Sequence, residues 1–344
     1  MSSKLLSSHA IGNITLKNRI VMPPMCLYSA NGDGFVSPFH TLHYGARALG
    51  GVGLIIVEAT GVEPRGRISD KDLGIWSDEH IPSHESLTKT CKSFGAHIAL
   101  QLAHAGRKCE CANETPVAPS SIAFSESHPF KKPHELSIDE IKIIKNAFIE
   151  GAIRAQKAGY DMVELHGAHG YLLCEFLSPL TNQRDDEYGG SFKNRCKFLL
   201  EIAKGIKEAV SIPLIVRLSA HEWMKEGWSV SDSIKLSQAL ENLGVDALHI
   251  SSGGNHLKPD LPPQITPLYQ AGYAKSIKEN INIPVIAVGL ISTPVEAEAL
   301  LIGNSCDFVG FGRELLRNPN LAYEAASIFK EPLKITPQYM RAYM

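Results

Sequence analysis

The sequence predicts one closed barrel of eight parallel β-strands, each followed by a helix. Three observations carry that prediction. Short apolar, β-branched runs recur along the chain, separated by helix-length amphipathic stretches, and this alternation makes the strands parallel. The runs hold few polar residues, as strands covered on both faces do. The 344 residues exceed the roughly 250 that such a barrel commonly uses, and the surplus falls in four defined places.

The strands are expected at residues 20–22, 54–58, 97–102, 162–165, 214–218, 247–250, 285–288 and 308–311. Between them, stretches such as 140–158, 192–210, 231–243 and 269–281 carry helical periodicity. Ser137-Ile-Asp-Glu140 and Thr293-Pro-Val-Glu296 read as capping boxes, the second with proline at the first helical position. Gly159 and Gly244 close helices just before a strand, and each is followed, two residues on, by an aspartate. That near-repeat of helix, glycine and aspartate suggests a repeated αβ unit. The surplus residues are an N-terminal arm, the Pro/Ser-rich stretch 105–136, the segment 171–191 and the tail after Phe329. A two-domain doubly wound protein is the alternative, but no break in composition marks a linker, so residues 1–344 are read as a single domain.

Composition excludes several classes. Lys and Arg number 34 against 36 Asp and Glu, so no basic surface for nucleic acid is expected. No run approaches the ~20 apolar residues of a membrane helix, and the start lacks the apolar core of a signal peptide. The expected location is cytoplasmic, with no membrane partner. Seven scattered cysteines do not form a secreted disulfide framework, and there is no C-x-x-C pair. Cys109-Glu-Cys111 reads as ordinary loop thiols in a polar stretch, and no metal site is expected.

A barrel of this kind gathers its chemistry at the C-terminal ends of its strands. Here those ends are consistently polar or glycine-rich. Pro23-Pro24-Met25-Cys26-Leu-Tyr28 follows the first strand, and Glu58-Ala-Thr60 the second. The third carries Gln101 and runs into His104-Ala-Gly-Arg107-Lys108; the fourth ends Glu164-Leu-His166-Gly-Ala-His169-Gly-Tyr171. Arg217 lies on the fifth, Ser251-Ser-Gly-Gly254 ends the sixth, and Gly289 and Gly310-Phe-Gly312-Arg313 end the last two. The glycine turns after strands seven and eight suit a phosphate, with Arg313 as a clamp. No G-x-G-x-x-G follows a strand, so a mononucleotide fits better than a dinucleotide held on a Rossmann unit. FMN would account for Arg217, a cation that stabilises the reduced ring, and for Gln101, an amide that bonds its pyrimidine edge.

His166-Gly-Ala-His169 admits three readings. The histidines could be metal ligands, although no third ligand is evident, or idle core side chains. They could also be neutral imidazoles that donate to one oxygen as it gains charge, with Tyr171 as a proton donor.

Taken together, these residues resemble the old yellow enzyme family of FMN-dependent ene-reductases, in its cysteine-containing bacterial subclass. The resemblance runs from Leu16-Lys-Asn-Arg to the C-terminus. Its most specific segments are Pro24-Met-Cys26-x-Tyr28, Gln101-Leu-Ala-His-Ala-Gly-Arg-Lys108, His166-Gly-Ala-His-Gly-Tyr-Leu172 and the stretch 175–190. The resemblance implies that Pro23, Pro24, Met25, Cys26, Thr60, Gln101, Arg217, Gly312 and Arg313 contact FMN, with Gly289 beside the phosphate. Cys26 would tune the flavin, His166 and His169 would bind the acceptor's electron-withdrawing group, Tyr171 would protonate it, and Tyr28 would line the pocket. Arg341 is similar to a C-terminal arginine that enters the neighbouring subunit's site, implying a homodimer or homotetramer joined through the tail 330–344. Position 60 is threonine where the subclass often has alanine. The implied reaction is ping-pong hydride transfer from NADPH or NADH through FMN to the activated C=C of an enone or nitro compound. The rival expectation is a non-flavin, metal-dependent lyase or hydrolase using the same two histidines.

Overall fold

The computed structural model describes residues 2–332 and 336–342, and in it every apolar run is a strand. These are β1 (Ile20–Met22), β2 (Leu54–Gly61), β3 (His97–Ala103), β4 (Met162–Gly167), β5 (Leu214–Ser219), β6 (Ala247–Ser251), β7 (Val285–Val288) and β8 (Phe308–Gly310). Each pairs in parallel with its sequence neighbours, and β8 pairs with β1, so the sheet closes into a barrel. The helices between and after the strands are α1 (Pro38–Leu49), α2 (Ile81–Ser93), α3 (Ile138–Lys157), α4 (Phe192–Ala209), α5 (Val230–Asn242), α6 (Ala271–Lys278), α7 (Pro294–Ile302) and α8 (Leu321–Phe329).

Both capping boxes form. Ser137 Oγ accepts from the Glu140 amide at 3.3 Å while Glu140 Oε2 accepts from the Ser137 amide at 2.8 Å; Thr293 and Glu296 do the same for α7. Gly159 (φ +82°) and Gly244 (φ +83°) take the left-handed conformation that ends α3 and α5. The aspartate that follows has a structural task. Asp161, just before β4, accepts from the Ile98 amide of β3 at 3.0 Å, and Asp246, just before β6, accepts from Leu214 of β5 at 2.8 Å. Asp307 repeats this between β8 and Val285 of β7 at 2.9 Å. The repeat seen in the sequence is therefore a staple, in which each such unit satisfies a backbone donor at the start of the strand before it. The helix expected over 269–281 is shorter, Ala271–Lys278. Leu268 is left-handed (φ +64°), and Gln270 sits at the N-cap with its side chain bonded elsewhere.

The barrel interior is layered, because every second residue of a strand faces the same side. Val21, Ile56, Ala99, Met162, Ile215, Ala247, Ile286 and Phe308, one from each strand, form a fully buried apolar floor. Ile11 and Leu16 join it from an N-terminal antiparallel hairpin (His9–Ile11 with Ile14–Leu16), within what the sequence predicts only as an N-terminal arm. Two residues further along, β3 to β6 present Gln101, Glu164, Arg217 and His249, all buried. Two further again come Ala103, His166, Ser219 and Ser251. In β2 the register shifts between Val57 and Thr60, a bulge that re-aims Glu58. The excursion 105–136 holds a small parallel pair, Val117–Ala118 with His134–Glu135, and 171–191 opens with the short helix Leu172–Leu177. Among the described residues no helix is long and apolar enough to cross a membrane.

Candidate active site

The strand ends surround an open cleft of about 290 Å³, lined among others by Pro23, Met25, Arg217, Gly289, Gly312 and Arg313. Four strand ends that lie far apart in the sequence thus bring together most of the residues expected to face a cofactor; Pro24 also lines the cleft. Gly289 is required there. At φ +128°, an added Cβ would lie 2.5 Å from Gln270 Nε2, which is itself fixed by donating to the Val288 carbonyl at 2.9 Å. Gly312 is less constrained, with only Met25 and Pro23 side-chain atoms within 4 Å of an added Cβ. Arg313 is exposed at the rim, and Arg317 also lines the cleft. Deeper in, Arg217 Nε is buried with no hydrogen-bond partner among the described residues. Cations at both the rim and the base fit a mononucleotide with an anionic end and a ring edge that gains negative charge.

Beneath the cleft the second inner layer forms a network. Gln101 Nε2 donates to Glu164 Oε1 at 2.7 Å, and His249 Nδ1 lies 2.8 Å from Glu164 Oε2. One amide hydrogen of Gln101 is therefore committed, which leaves its second N–H and its carbonyl for a ligand. Burial and the neighbouring Arg217 charge keep His249 neutral. With a carboxylate facing Nδ1, that nitrogen carries the proton.

The histidine pair sits in a tightly held turn. His169 (φ +61°) and Gly170 (φ +71°) are both left-handed, and a Cβ on Gly170 would come within 2.6 Å of the Gly254 carbonyl. Lys108 Nζ donates to the carbonyls of His169 (2.8 Å) and Gly254, joining the β4 turn to the loop after β6. Ser219 Oγ accepts from the His169 amide at 2.9 Å. The rings of His166 and His169 meet edge-on with centroids 5.2 Å apart, and Tyr171 lies 4.9 Å from His166. Burial, reinforced by the positive charges of Arg217 and Lys108, holds both imidazoles neutral. His166 Nδ1 accepts from the Ala168 amide at 3.4 Å, which leaves Nε2 as its donor.

The ring of His169 is oriented by Ser251, whose Oγ lies 2.7 Å from His169 Nε2. Gln270 Oε1 in turn accepts from both Ser251 (3.3 Å) and Ser252 (2.6 Å), using its two lone pairs. Burial also raises the Tyr171 phenol well above its ordinary range, so it stays protonated. Two neutral N–H donors and one O–H donor stand side by side.

The loop after β1 is anchored from behind. Glu58, re-aimed by the bulge, accepts from the Leu27 amide at 2.6 Å, and its other oxygen lies 3.1 Å from His40 Nε2 and 3.4 Å from the Tyr44 hydroxyl. This holds the segment that carries Cys26 and Tyr28. Burial pushes the Cys26 thiol up to about 12, so it is a neutral thiol rather than a nucleophilic thiolate. Tyr28, 46% exposed and left-handed, stands at the surface. Thr60 is fully buried and donates to the Glu58 carbonyl at 2.9 Å, and it does not line the cleft.

One expectation needs correction. Cys109 and Cys111 do lie in a loop, but their surroundings are not polar. Both are buried in an apolar cluster with Ala59, Ile68, Ala103 and Ala105, against which Cys26 and Tyr171 pack. The Glu110 side of that segment faces outward and gives the stretch its polar look. Arg341 lies in an exposed turn, Met340–Ala342. Among the described residues no three His, Cys, Asp or Glu side chains are grouped to hold a metal, so the histidine pair has no third ligand there.

Sequence reasoning passed over His249 and Gln270, and it quoted Glu58, Lys108, Glu164 and Ser251 among the polar strand ends without a role. Strand alternation was the available signal: Met162-x-Glu164-x-His166 and Ala247-x-His249-x-Ser251 place all four polar groups on one side.

Comparison with known proteins identifies the family and the fold. Residues 4–331 match the family described as NADH:flavin oxidoreductase / NADH oxidase. An NADPH dehydrogenase of Bacillus cytotoxicus is 48% identical over 99% of this chain and 97% of its own length. One from Bacillus pumilus is 46% identical over the full length of both. Among solved structures, morphinone reductase superposes with a TM-score of 0.83 at 29% identity, covering 98% of this chain and 92% of its own. The old yellow enzyme homologue of Zymomonas mobilis gives 0.81 at 28% identity, covering 99% of both chains. The chain belongs to the NADH:flavin oxidoreductase / NADH oxidase family, that of the old yellow enzymes, and is an FMN-dependent oxidoreductase on a (β/α)8 barrel.

Proposed function

We propose that the protein is an ene-reductase, which uses NADPH or NADH to reduce the activated C=C of α,β-unsaturated carbonyl or nitro compounds. The observation that carries this reading is the trio of neutral donors, His166, His169 and Tyr171, beside a cleft with an unpartnered buried arginine. When bound, FMN supplies a two-electron carrier that takes hydride from a nicotinamide and yields it to carbon. Pro23, Pro24, Met25, Gly289, Gly312 and Arg313 would cradle it, while Gln101 and Arg217 would meet its ring edge. Cys26, a neutral thiol, would tune it as a weak hydrogen-bonding group. Thr60, with its hydroxyl already donated, would support β2 behind the cofactor.

His166, through Nε2–H, and His169 donate to the acceptor's carbonyl or nitro oxygen and stabilise the negative charge that collects there as hydride reaches Cβ. Because both rings are neutral, they act as hydrogen-bond donors and do not protonate the oxygen outright. Tyr171 gives its proton to Cα and regains one from water. Tyr28, at the surface, bonds to the acceptor's outer end. Nicotinamide and acceptor use one pocket in turn, which is a ping-pong order. The dehydrogenases of the two Bacillus species are named for NADPH, and this supports NADPH as the reductant. We place Arg341 and the tail 330–344 at a neighbouring subunit's site in a homodimer or homotetramer, and the enzyme in the cytoplasm. Residues 333–335, 343 and 344 of that tail lie outside the described residues.

The test is His166→Ala/His169→Ala with 2-cyclohexenone as acceptor. We expect kcat/KM to fall on the order of 10²–10³-fold while the yellow cofactor remains bound. Turnover at the parental rate would remove the histidines from the mechanism. Colourless protein that takes up no FMN would remove the whole reading.

A further inference from the structure

The second inner layer of the barrel contains more charge than holding the barrel together requires. Two residues below it, the same strands fill the axis with Ala99, Met162, Ile215 and Ala247, so apolar packing is available to this barrel. Yet at Gln101, Glu164, Arg217 and His249 it buries a carboxylate, a guanidinium, an amide and an imidazole. Burying an ion pair is commonly less stabilising than apolar residues of the same volume. Such a layer is kept for what it does.

Glu164 is its hub. It is fully buried, and each carboxylate oxygen takes one donor: Gln101 Nε2 at 2.7 Å and His249 Nδ1 at 2.8 Å. Arg217, on the neighbouring strand, makes no bond through its buried Nε, and Glu164 is the principal charge opposing the cost of its burial. His249 contributes no charge of its own. The layer therefore holds one anion against one cation.

We propose that Glu164 is a positioning residue of the flavin site: its carboxylate fixes the Gln101 amide and offsets the charge of Arg217, lowering the flavin's reduction potential below what the arginine alone would set. The inference rests on the reading that Arg217 faces the bound FMN. A cation beside the ring favours the reduced, more negative flavin, and a fixed anion behind that cation opposes it. His249 holds Glu164 in place and leaves Nε2 as a buried nitrogen without a partner among the described residues.

The experiment measures the two-electron midpoint potential of the bound flavin by dye-equilibrated anaerobic titration, in wild type, Glu164→Gln and Glu164→Asp. Glutamine keeps the shape and removes the charge, whereas aspartate keeps the charge. We expect Glu164→Gln to shift the reduction equilibrium about tenfold toward reduced flavin, which for a two-electron couple is about 30 mV upward. Glu164→Asp should stay near the parental value. A potential that is unchanged or lowered in Glu164→Gln would overturn the inference even if the enzyme still reduces enones. Wild-type protein that binds no FMN would overturn both this inference and the proposed function.

Should Glu164→Gln fail to fold, infrared difference spectra of the wild-type holoenzyme on flavin reduction, referenced to Glu164→Asp, decide instead. A carboxylate band that moves with the redox state supports the role. Its absence, with only a protonated carboxyl in its place, rejects it.

Discussion

The floor of the barrel and the layer directly above it are built from the same strands, two residues apart, yet they are opposite in character. The floor is entirely apolar and fully buried, and the N-terminal hairpin joins it. The layer above buries Gln101, Glu164, Arg217 and His249, and the one above that offers His166, Ser219 and Ser251. A strand that supplies cohesion at its start supplies chemistry at its end. The two layers should therefore respond to mutation along different axes, one in stability and the other in rate and potential.

Truncation in the floor gives the largest expected effect. Met162→Ala should destabilise the protein by about 2–5 kcal/mol through lost burial and the cavity left behind. Thermal unfolding measures this, while the flavin potential and the turnover of the folded holoenzyme should stay at parental values. A shifted potential would show that the floor and the site are coupled and would blur the division drawn here.

Next in size is a pH effect from the wall of the site. Glu175 is fully buried and accepts from the Arg107 amide through one oxygen, while the other has no partner among the described residues. Burial lifts its carboxyl from 4.5 to about 8. Between those values the native state holds a proton that the unfolded chain releases. Its contribution is thus fully present at acid pH and is lost as pH rises through about 8. Glu175→Gln should flatten that slope and, near pH 9, make the protein more stable than the parent by on the order of a few kcal/mol. Parallel stability curves for the two proteins from about pH 5 to pH 9 would show that Glu175 does not titrate in this way.

The smallest effect is expected at Ser251. Removing its hydroxyl takes away the hydrogen bond that orients the His169 ring and so weakens one of the two oxygen donors. Ser251→Ala should lower kcat/KM about tenfold, roughly the 1.4 kcal/mol of one hydrogen bond, with the flavin spectrum unchanged and Ser251→Thr close to parental. Equal loss in the alanine and threonine variants would point to packing rather than to the hydroxyl.

Much of this was legible from residues alone. Eight apolar runs, two capping boxes and two helix-ending glycines located the barrel, because each of these is a local property of the chain. Gln101, Arg217 and the two histidines stood out as polar groups in or beside apolar runs. Their partners did not. Whether His249 meets Glu164, or Ser251 meets His169, depends on the stagger that barrel closure imposes between neighbouring strands, and no single strand records it. Glu58 was hidden for a related reason, since the bulge in β2 breaks the alternation that would have indicated its direction. The hairpin at residues 9–16 was missed because its two three-residue strands bury only Ile11 and Leu16 fully and make no continuous apolar run, unlike the equally short but wholly buried Ile20–Met22. Cys109 and Cys111 misled in the opposite sense, flanking an outward glutamate that made a buried pair look solvated.

The aspartate staples also impose an order in time. Asp161, Asp246 and Asp307 each reach back to the strand made before them. On a ribosome, which releases the chain N-terminus first, Ile98, Leu214 and Val285 wait for an acceptor until the following helix has been synthesised. β7 is not sealed until Asp307 emerges, when less than an eighth of the chain remains to be made.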